Sequence, residues 1–367
     1  IAPGMVVGIL GGGQLARMLA TAAAELGLAC HVYCPDPRSP AFAVAAARTI
    51  APYDDPEALA AFAASVDVVT YEFENVPVET AEALAARVPL APGARSLAVA
   101  QDRLFEKELM AGLGIATAAH AEVSRQADIY SALARTGRPA ILKTRRLGYD
   151  GKGQATVRAG DDPVSAWRVI GEAPAILEAL VSFEREVSVI LARGRDGEVR
   201  AFDVTENVHD AGILDTSTVP ARIEPELAAE ALAIATRIAE ALDHVGILAV
   251  EMFLATGHEG RRLLVNEIAP RVHNSGHWTQ DACLVSQFEQ HIRAICGWKL
   301  GPPFRRRDGQ PHRRRRRRLA CPRRRTRGPA SSLRQVRGPS RPQDGPRQPR
   351  PAPSGDVKIR RKVPFRF

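Results

Sequence analysis

A mixed α/β and α+β architecture in two successive domains is what this 367-residue sequence predicts, and three observations carry it. Short apolar strands alternate with Ala-rich amphipathic helices over the first hundred residues, the pattern of a doubly wound parallel sheet. From about residue 120 the strands come instead in neighbouring pairs, as in antiparallel sheets. After Phe304 the periodicity stops, and Pro, Arg, Gly and Ser dominate a stretch that by composition cannot build a core. The expected divisions are therefore 1–102, 103–304 and an aberrant tail at 305–367.

Residues 6–10 (VVGIL) form a buried strand, a GGGQ turn follows, and LARMLATAAAELG makes a helix stopped by Gly27. ACHVYC is the second strand and PDPRSP a turn; DVVTYEF is a strand and VETAEALAARV a helix. Residues 101–120 are expected as one helix (QDRLFEKELMAGLG) entering the second domain. AILKT is a strand leading into the loop GYDGKGQ, PVSAWRVIG a helix and AILEALV a strand. EREVSVILAR and GEVRAFDVTENV alternate like paired strands, and residues 224–243 form an Ala-rich helix. GILAVEMFLA and RRLLVNEIAP are strands joined by the polar turn TGHEG, and QFEQHIRAICG closes the fold as a helix.

The net charge of +9 is misleading as a whole. Residues 305–367 hold 21 Arg, 2 Lys and 3 Asp, a net of +20, which leaves −11 on residues 1–304. The body is mildly acidic, so a nucleic-acid partner is not expected of it. No apolar run reaches the roughly 18 residues of a membrane span, and the opening segment lacks a signal-peptide pattern. Five scattered cysteines (Cys30, Cys34, Cys283, Cys296, Cys321) suit a reducing cytoplasm.

Five motifs carry chemistry. In G-I-L-G-G-G-Q-L-A-R-M at 8–18, glycines between strand and helix let backbone N–H groups approach a phosphate. Gly11 and Gly13 fit the dinucleotide pattern, Ala16 takes its third place, and Asp36 stands where a ribose-binding acid would. That admits an NAD-dependent oxidoreductase, or simply a tight turn. In K-T-R-R-L-G-Y-D-G-K-G-Q at 143–154, Lys143 ends a strand and can reach phosphate oxygens, while a loop with Gly148, Gly151 and Gly153 can fold over a triphosphate. E-A-L-V at 178–181 offers a strand edge to an adenine, and Glu186 could hold ribose hydroxyls. Glu251 and the Asn266–Glu267 pair lie on two strands joined by a turn, so pairing would set both carboxylates side by side, a donor set for Mg2+ bridging phosphates. Glu251 sits in an apolar run (ILAVEMFLA), where an unpaired carboxylate would be costly. P-R-V-H-N-S-G-H-W-T at 270–279 gathers Arg, two His, Asn and Ser just after the second carboxylate, a cluster suited to an anion and a nucleophile near a γ-phosphate.

Taken in order, these motifs resemble the ATP-grasp superfamily and, within it, the N5-carboxyaminoimidazole ribonucleotide synthetase family of purine biosynthesis. GGGQLARM, YEFENVP, KTRRLGYDGKGQ, ENVHDAGIL and VNEIAPRVHNSGHWT carry the resemblance over residues 6–300. It implies a Rossmann-like pre-ATP-grasp domain followed by an ATP-grasp domain. It implies an ATP- and bicarbonate-dependent ligase, acting through carboxyphosphate, that carboxylates aminoimidazole ribonucleotide. Mg2+, with Mn2+ as a substitute, is the implied metal. A homodimer is implied, with the product passing to a carboxyaminoimidazole ribonucleotide mutase.

Residue by residue, the resemblance puts Arg103 and Lys143 on ATP phosphates under a loop of Gly148, Tyr149, Asp150, Gly151, Lys152, Gly153 and Gln154. Glu178, Ala179, Leu180 and Val181 line the adenine site, with Glu186 at the ribose and His209 near the nucleotide. Glu251 and Glu267 hold the metal, with Asn266 beside them. Arg271, His273, Asn274 and Ser275, with Tyr149 and Asp150, face bicarbonate and the aminoimidazole; Gln14, Leu15 and Glu74 face the ribonucleotide. The HNSGHWT cluster argues against other ATP-grasp ligases, such as a formate-using transformylase or a biotin-dependent carboxylase subunit.

The family ends in a small β-rich domain whose Y-G-K and R-K-M-G-H motifs are expected to grip the substrate phosphate, and neither is present. With GC-rich codons, residues 308–349 read one nucleotide out of frame can spell both, so a frameshift near 304–308 is the expectation, in the gene or in the record of its sequence. The printed tail is expected to be disordered. Its rival is an arginine-rich nucleic-acid arm, centred on the six arginines at 313–318.

Overall fold

A computed structural model describes residues 1–148, 152–210, 212–257 and 260–303, and the backbone of a strand at Val357–Arg360. Tyr149, Asp150, Gly151, Cys321, the frameshift segment and the six-arginine run lie outside the described residues.

The first hundred residues build β1 (Val6–Leu10), α1 (Gln14–Glu25), β2 (Ala29–Tyr33), β3 (Ala47–Thr49), α2 (Pro56–Ala64), β4 (Val68–Tyr71), α3 (Val78–Ala85) and α4 (Ala94–Gln101). The four strands pair in parallel in the order β3-β2-β1-β4. Val7, Ile9, Val32 and Val68 are wholly buried, as a sheet covered on both faces requires. Gly27, at φ +80°, ends the first helix where the sequence stops it. Asp55 caps α2 by accepting from the N–H groups of Glu57 and Ala58, with Pro56 opening the helix.

The expected helix over 101–120 is shorter than its sequence suggests. Asp102 is extended (φ −121°), separates α4 from α5 (Arg103–Gly112), and caps α5 through the Leu104 N–H. Gly114, at φ +64°, then turns the chain away.

A small antiparallel sheet follows, ordered β5-β8-β6-β7. It is built from β5 (His120–Val123), β6 (Ala140–Thr144), β7 (Gln154–Val157) and β8 (Ala175–Ala179), covered by α6 (Ile129–Thr136) and α7 (Pro163–Val169). The larger sheet has the order β14-β13-β9-β11-β12-β15, with β10 on β9. Its strands are β9 (Phe183–Arg193), β10 (Val199–Ala201), β11 (Thr205–Asp210), β12 (Ile213–Val219), β13 (Gly246–Gly257), β14 (Gly260–Ala269) and β15 (Val357–Arg360). Helix α8 (Pro225–Ala241) covers one face, its Ala235 and Ile238 meeting Leu248 and Val250. The short α9 (Thr279–Ala282) precedes α10 (Gln287–Ile295), which packs between the large sheet and α1. Ile9, Leu19, Ile190, Ile247, Phe288 and Ile292 therefore share one core.

Candidate active site

The glycine turn after β1 commits its Gly11 and Gly13 N–H groups within the chain, Gly11 to the Tyr33 carbonyl. Glu72, just past β4, accepts from Gly13 N–H (2.7 Å) and Ala16 N–H (3.2 Å), so its carboxylate occupies the N-terminus of α1. A Cβ on Gly11 would lie 2.5 Å from Glu72 Cγ, and one on Gly13 2.7 Å from its Oε1. These glycines make room for a buried carboxylate, and Asp36 is bonded to its own turn through the Arg38 N–H. The dinucleotide site weighed from the sequence is thereby corrected. Gln14 and Leu15 open α1 half-buried, with Leu15 packed against the shared core.

The carboxylate pair forms as the strand pattern requires. Glu251 on β13 stands in register with Glu267 on β14, and Met252 pairs with Val265, which leaves Asn266 as the extra residue of a β-bulge. Burial first, and then the charge of Glu267, push the Glu251 carboxyl up to about 8. Two acids held together at that cost are the donor set of a hard cation. Among the described residues no group of three or more His, Cys, Asp or Glu side chains could cage a metal unaided, so phosphate oxygens or water would complete the coordination. The residues fit Mg2+ on these terms.

Cations ring the pair. Arg103 Nη1 lies 3.4 Å from Glu267 Oε2. Lys143 on β6 and Lys107 on α5 both reach Glu178 on β8, at 2.5 and 3.3 Å, and Lys107 also donates to the Asn266 carbonyl (2.8 Å). Burial opposes ionisation of Glu178, but Lys107 and Lys143 overcome it and hold its carboxyl at about 2. Glu178 thus anchors two lysines and is not a free acceptor at the strand edge. The Ala179 and Leu180 N–H groups are likewise spent on the carbonyls of Ala119 and Pro139, at 2.8 and 3.0 Å, while Leu180 itself is exposed and Val181 half-buried. Of the backbone donors expected for an adenine at 179–181, only that of Val181 is left uncommitted by these bonds. Gly148 and Gly153 both approach Thr144 closely, Gly153 at φ +69°, while Lys152 and Gln154 are exposed.

On the large sheet, His209 Nδ1 is hydrogen-bonded to Glu186 Oε2, which raises the imidazole above its ordinary value. Glu74, beyond β4, is paired with Arg271; burial opposes its ionisation, and the guanidinium holds the carboxyl down at about 2. His273 Nε2 lies 3.4 Å from Glu251 Oε1, and burial, then the charge of Arg271, hold this imidazole near 3, neutral. Ser275 is fully buried behind His273, whereas Asn274 is exposed.

Several residues here escaped the sequence reading. Gln287, wholly buried, accepts from the His273 N–H (3.0 Å) and donates to the His273 carbonyl (2.7 Å), clamping that peptide. Glu106 accepts from the Ile268 N–H (2.5 Å), and burial pushes its carboxyl up to about 7. Lys107 is 1% exposed. Polar side chains in a heptad-like helical pattern signal a solvated face, and only their burial marks them otherwise; a Gln in the first turn of a helix gives no signal at all.

Comparison with known proteins follows the same outline. Residues 5–101 match the ribonucleotide synthetase pre-ATP-grasp domain and residues 108–288 the ATP-grasp domain. The chain is 50% identical over 308 residues to the N5-carboxyaminoimidazole ribonucleotide synthase of Brucella melitensis, covering 83% of this chain and 84% of that protein. It superposes on the ADP complex of an N5-carboxyaminoimidazole ribonucleotide synthetase with TM-score 0.79 at 45% identity, covering 83% and 80% of the two chains. The Aspergillus clavatus enzyme, solved with ADP and 5-aminoimidazole ribonucleotide, matches with TM-score 0.75 at 31% identity, covering 82% and 78%.

Proposed function

The chain belongs to the N5-carboxyaminoimidazole ribonucleotide synthase family of ATP-grasp ligases, and from that premise we propose where its chemistry lies. It is an ATP-dependent carbon–nitrogen ligase that carboxylates 5-aminoimidazole ribonucleotide to N5-carboxyaminoimidazole ribonucleotide in purine biosynthesis. The observation that carries the assignment of the site is the register pairing of Glu251 with Glu267, with Arg103 against Glu267 and the charge of Arg271 acting on both acids.

In this reading Glu251 and Glu267 would hold Mg2+, which would supply charge neutralisation at the phosphates. Arg103 and Lys143 meet the phosphates, with Lys143 pre-positioned by Glu178. Of the glycine-rich loop, Gly148, Lys152, Gly153 and Gln154 lie on the phosphate side of this reading, Glu186 with His209 faces the nucleotide ribose, and Val181 offers the remaining strand-edge donor. Carboxyphosphate forms from ATP and bicarbonate and yields CO2 to the substrate amine in a site closed to water. Arg271, His273 and Asn274 face those reacting groups, with Ser275 buried behind His273, and Glu74, oriented by Arg271, faces the ribonucleotide together with Gln14 and Leu15. The protein's share is positioning and charge neutralisation.

Among the described residues no helix is long and apolar enough to cross a membrane. A cytoplasmic homodimer that passes its product to a mutase completes the proposal. The test is ATP hydrolysis measured with bicarbonate, with and without aminoimidazole ribonucleotide. Turnover that needs both co-substrates supports the assignment; turnover indifferent to bicarbonate overturns it.

A further inference from the structure

Behind His273 runs a chain of buried polar side chains that the proposed chemistry leaves unused. Ser217 on β12 bonds Asn207 Oδ1 (3.0 Å), and Asn207 Nδ2 on β11 bonds Ser188 Oγ (2.9 Å). Ser188 on β9 bonds Ser275 Oγ (2.8 Å), and Ser275 Oγ lies 2.9 Å from His273 Nδ1. Ser188 and Ser275 are 0% exposed and Asn207 5%, so each hydrogen bond is made within the chain or not at all.

The histidine end shows its polarity. The Ser275 backbone N–H, which can only donate, points at His273 Nδ1 (3.3 Å), and the opposite nitrogen faces the Glu251 carboxyl group. Nδ1 is therefore the acceptor and Nε2 bears the proton. The Ser275 hydroxyl then donates to Nδ1 and must accept from Ser188. Ser188 must accept from Asn207, whose carbonyl oxygen accepts from Ser217. Asn207 is the one member that both accepts and donates through separate, fixed atoms.

We propose that Asn207, acting through Ser188 and Ser275, is a positioning residue for the ligase reaction that holds His273 in the Nε2–H tautomer facing Glu251. It touches no substrate; together with the Ser275 N–H it keeps His273 Nδ1 an acceptor, so that Nε2 faces Glu251 with the proton. This rests on the proposed site, where His273 faces the reacting groups.

The near-isosteric Asn207→Asp keeps the acceptor for Ser217 and removes the donor to Ser188. Ser188 would then donate to the new carboxylate, and the chain would reverse up to Nδ1. Nitrogen NMR of the full-length chain labelled with [15N]histidine at neutral pH, with His273 signals assigned by their loss in H273Q, reads the tautomer directly. The expected result is Nε2–H for His273 in the parent and in S188A, which leaves the Ser275 hydroxyl free to donate to Nδ1, and a shift of proton population to Nδ1 in N207D, with the other histidine signals unmoved. Bicarbonate-dependent turnover in N207D should fall about tenfold or more at unchanged KM for ATP, the scale of lost outer hydrogen bonds around an active site. An Nδ1–H tautomer in the parent, an unmoved His273 in N207D, or a shifted tautomer with unchanged turnover would each overturn the proposal. Should the parent lack ribonucleotide carboxylation, the proposed function fails while the tautomer result stands by itself.

Discussion

Replacing Glu178 with Gln should destabilise this protein by about 3 kcal/mol at pH 7. Glu178 is 4% exposed and is the shared partner of Lys107 and Lys143. Its carboxyl is lowered from 4.5 to about 2, and at about 1.4 kcal/mol per unit that difference corresponds to about 3 kcal/mol of folding free energy. Removing one partner from a buried pair costs a similar amount, about 3–5 kcal/mol, because an ammonium is left uncompensated. The folded value lies below the unfolded one, so the contribution is complete above pH 4.5 and is lost as pH falls towards 2. Urea unfolding of E178Q and parent at pH 7 and pH 3 tests both magnitude and sign. The gap should shrink by roughly half at the lower pH. A gap under about 0.5 kcal/mol at pH 7, or one that is unchanged at pH 3, would refute the argument that this carboxylate is held ionised by two lysines. Because Lys143 loses its anchor, KM for ATP should also rise in E178Q.

Glu267→Gln should leave the fold intact, since Glu267 is only half-buried, yet reduce Mg2+-dependent ATP turnover by roughly 100-fold or more; circular dichroism with a coupled ATPase assay separates the two. His244 and His291 are fully buried and held neutral by burial, near 4 and near 3. Their folded values lie below the unfolded 6.5, so stability should be level above pH 6.5 and fall beneath it, by up to about 1.4 kcal/mol per pH unit for each. Thermal melts of H291N against parent should show a shallower acid slope, and equal slopes would count against it. If the printed tail replaces the substrate-phosphate grip, calorimetry should find ATP binding near that of relatives but aminoimidazole ribonucleotide binding badly weakened. Normal ribonucleotide affinity would refute this, as would an intact reading frame through codon 308 on resequencing. Steep salt-dependent nucleic-acid binding, lost on truncation at 304, would favour the arginine-arm alternative.

Strand and helix order up to residue 300 was legible because burial on both faces writes continuous apolar runs such as VVGIL and AILEA, and caps such as Asp55 and Asp162 are local in sequence. The pairing of Glu251 with Glu267 was legible because a hairpin converts a sixteen-residue separation into register. Three things were not legible. Whether a strand-edge N–H is free depends on neighbours forty to sixty residues away, as Leu180 on Pro139 and Ala179 on Ala119 show. Lys107 and Glu106 look like any charged pair on an exposed helix, yet both are buried. The partner of Glu178 could not be guessed, since an acid at the end of a strand is as compatible with a ligand as with a lysine.

The misleading glycine loop sharpens the role of the segment Y-E-F-E at 71–74. Residues two apart leaving a strand point the same way only while the strand continues, and β4 ends at Tyr71. Glu72 turns into the N-terminus of α1, while Glu74 reaches Arg271 in the PRVHNSGHWT segment. Burial raises the Glu72 carboxyl, opposed by the Gly13 and Ala16 N–H groups and by the charge of Arg271. Arg271 therefore acts on both acids. One turn thus fixes the first helix of the parallel-sheet domain and orients a guanidinium beside the carboxylate pair, so the two domains cannot shift relative to each other at this point without exposing a buried charge. Gly11 and Gly13, which admit Glu72, are on this argument a requirement of the proposed site at one remove: they hold the acid whose neighbour holds Arg271.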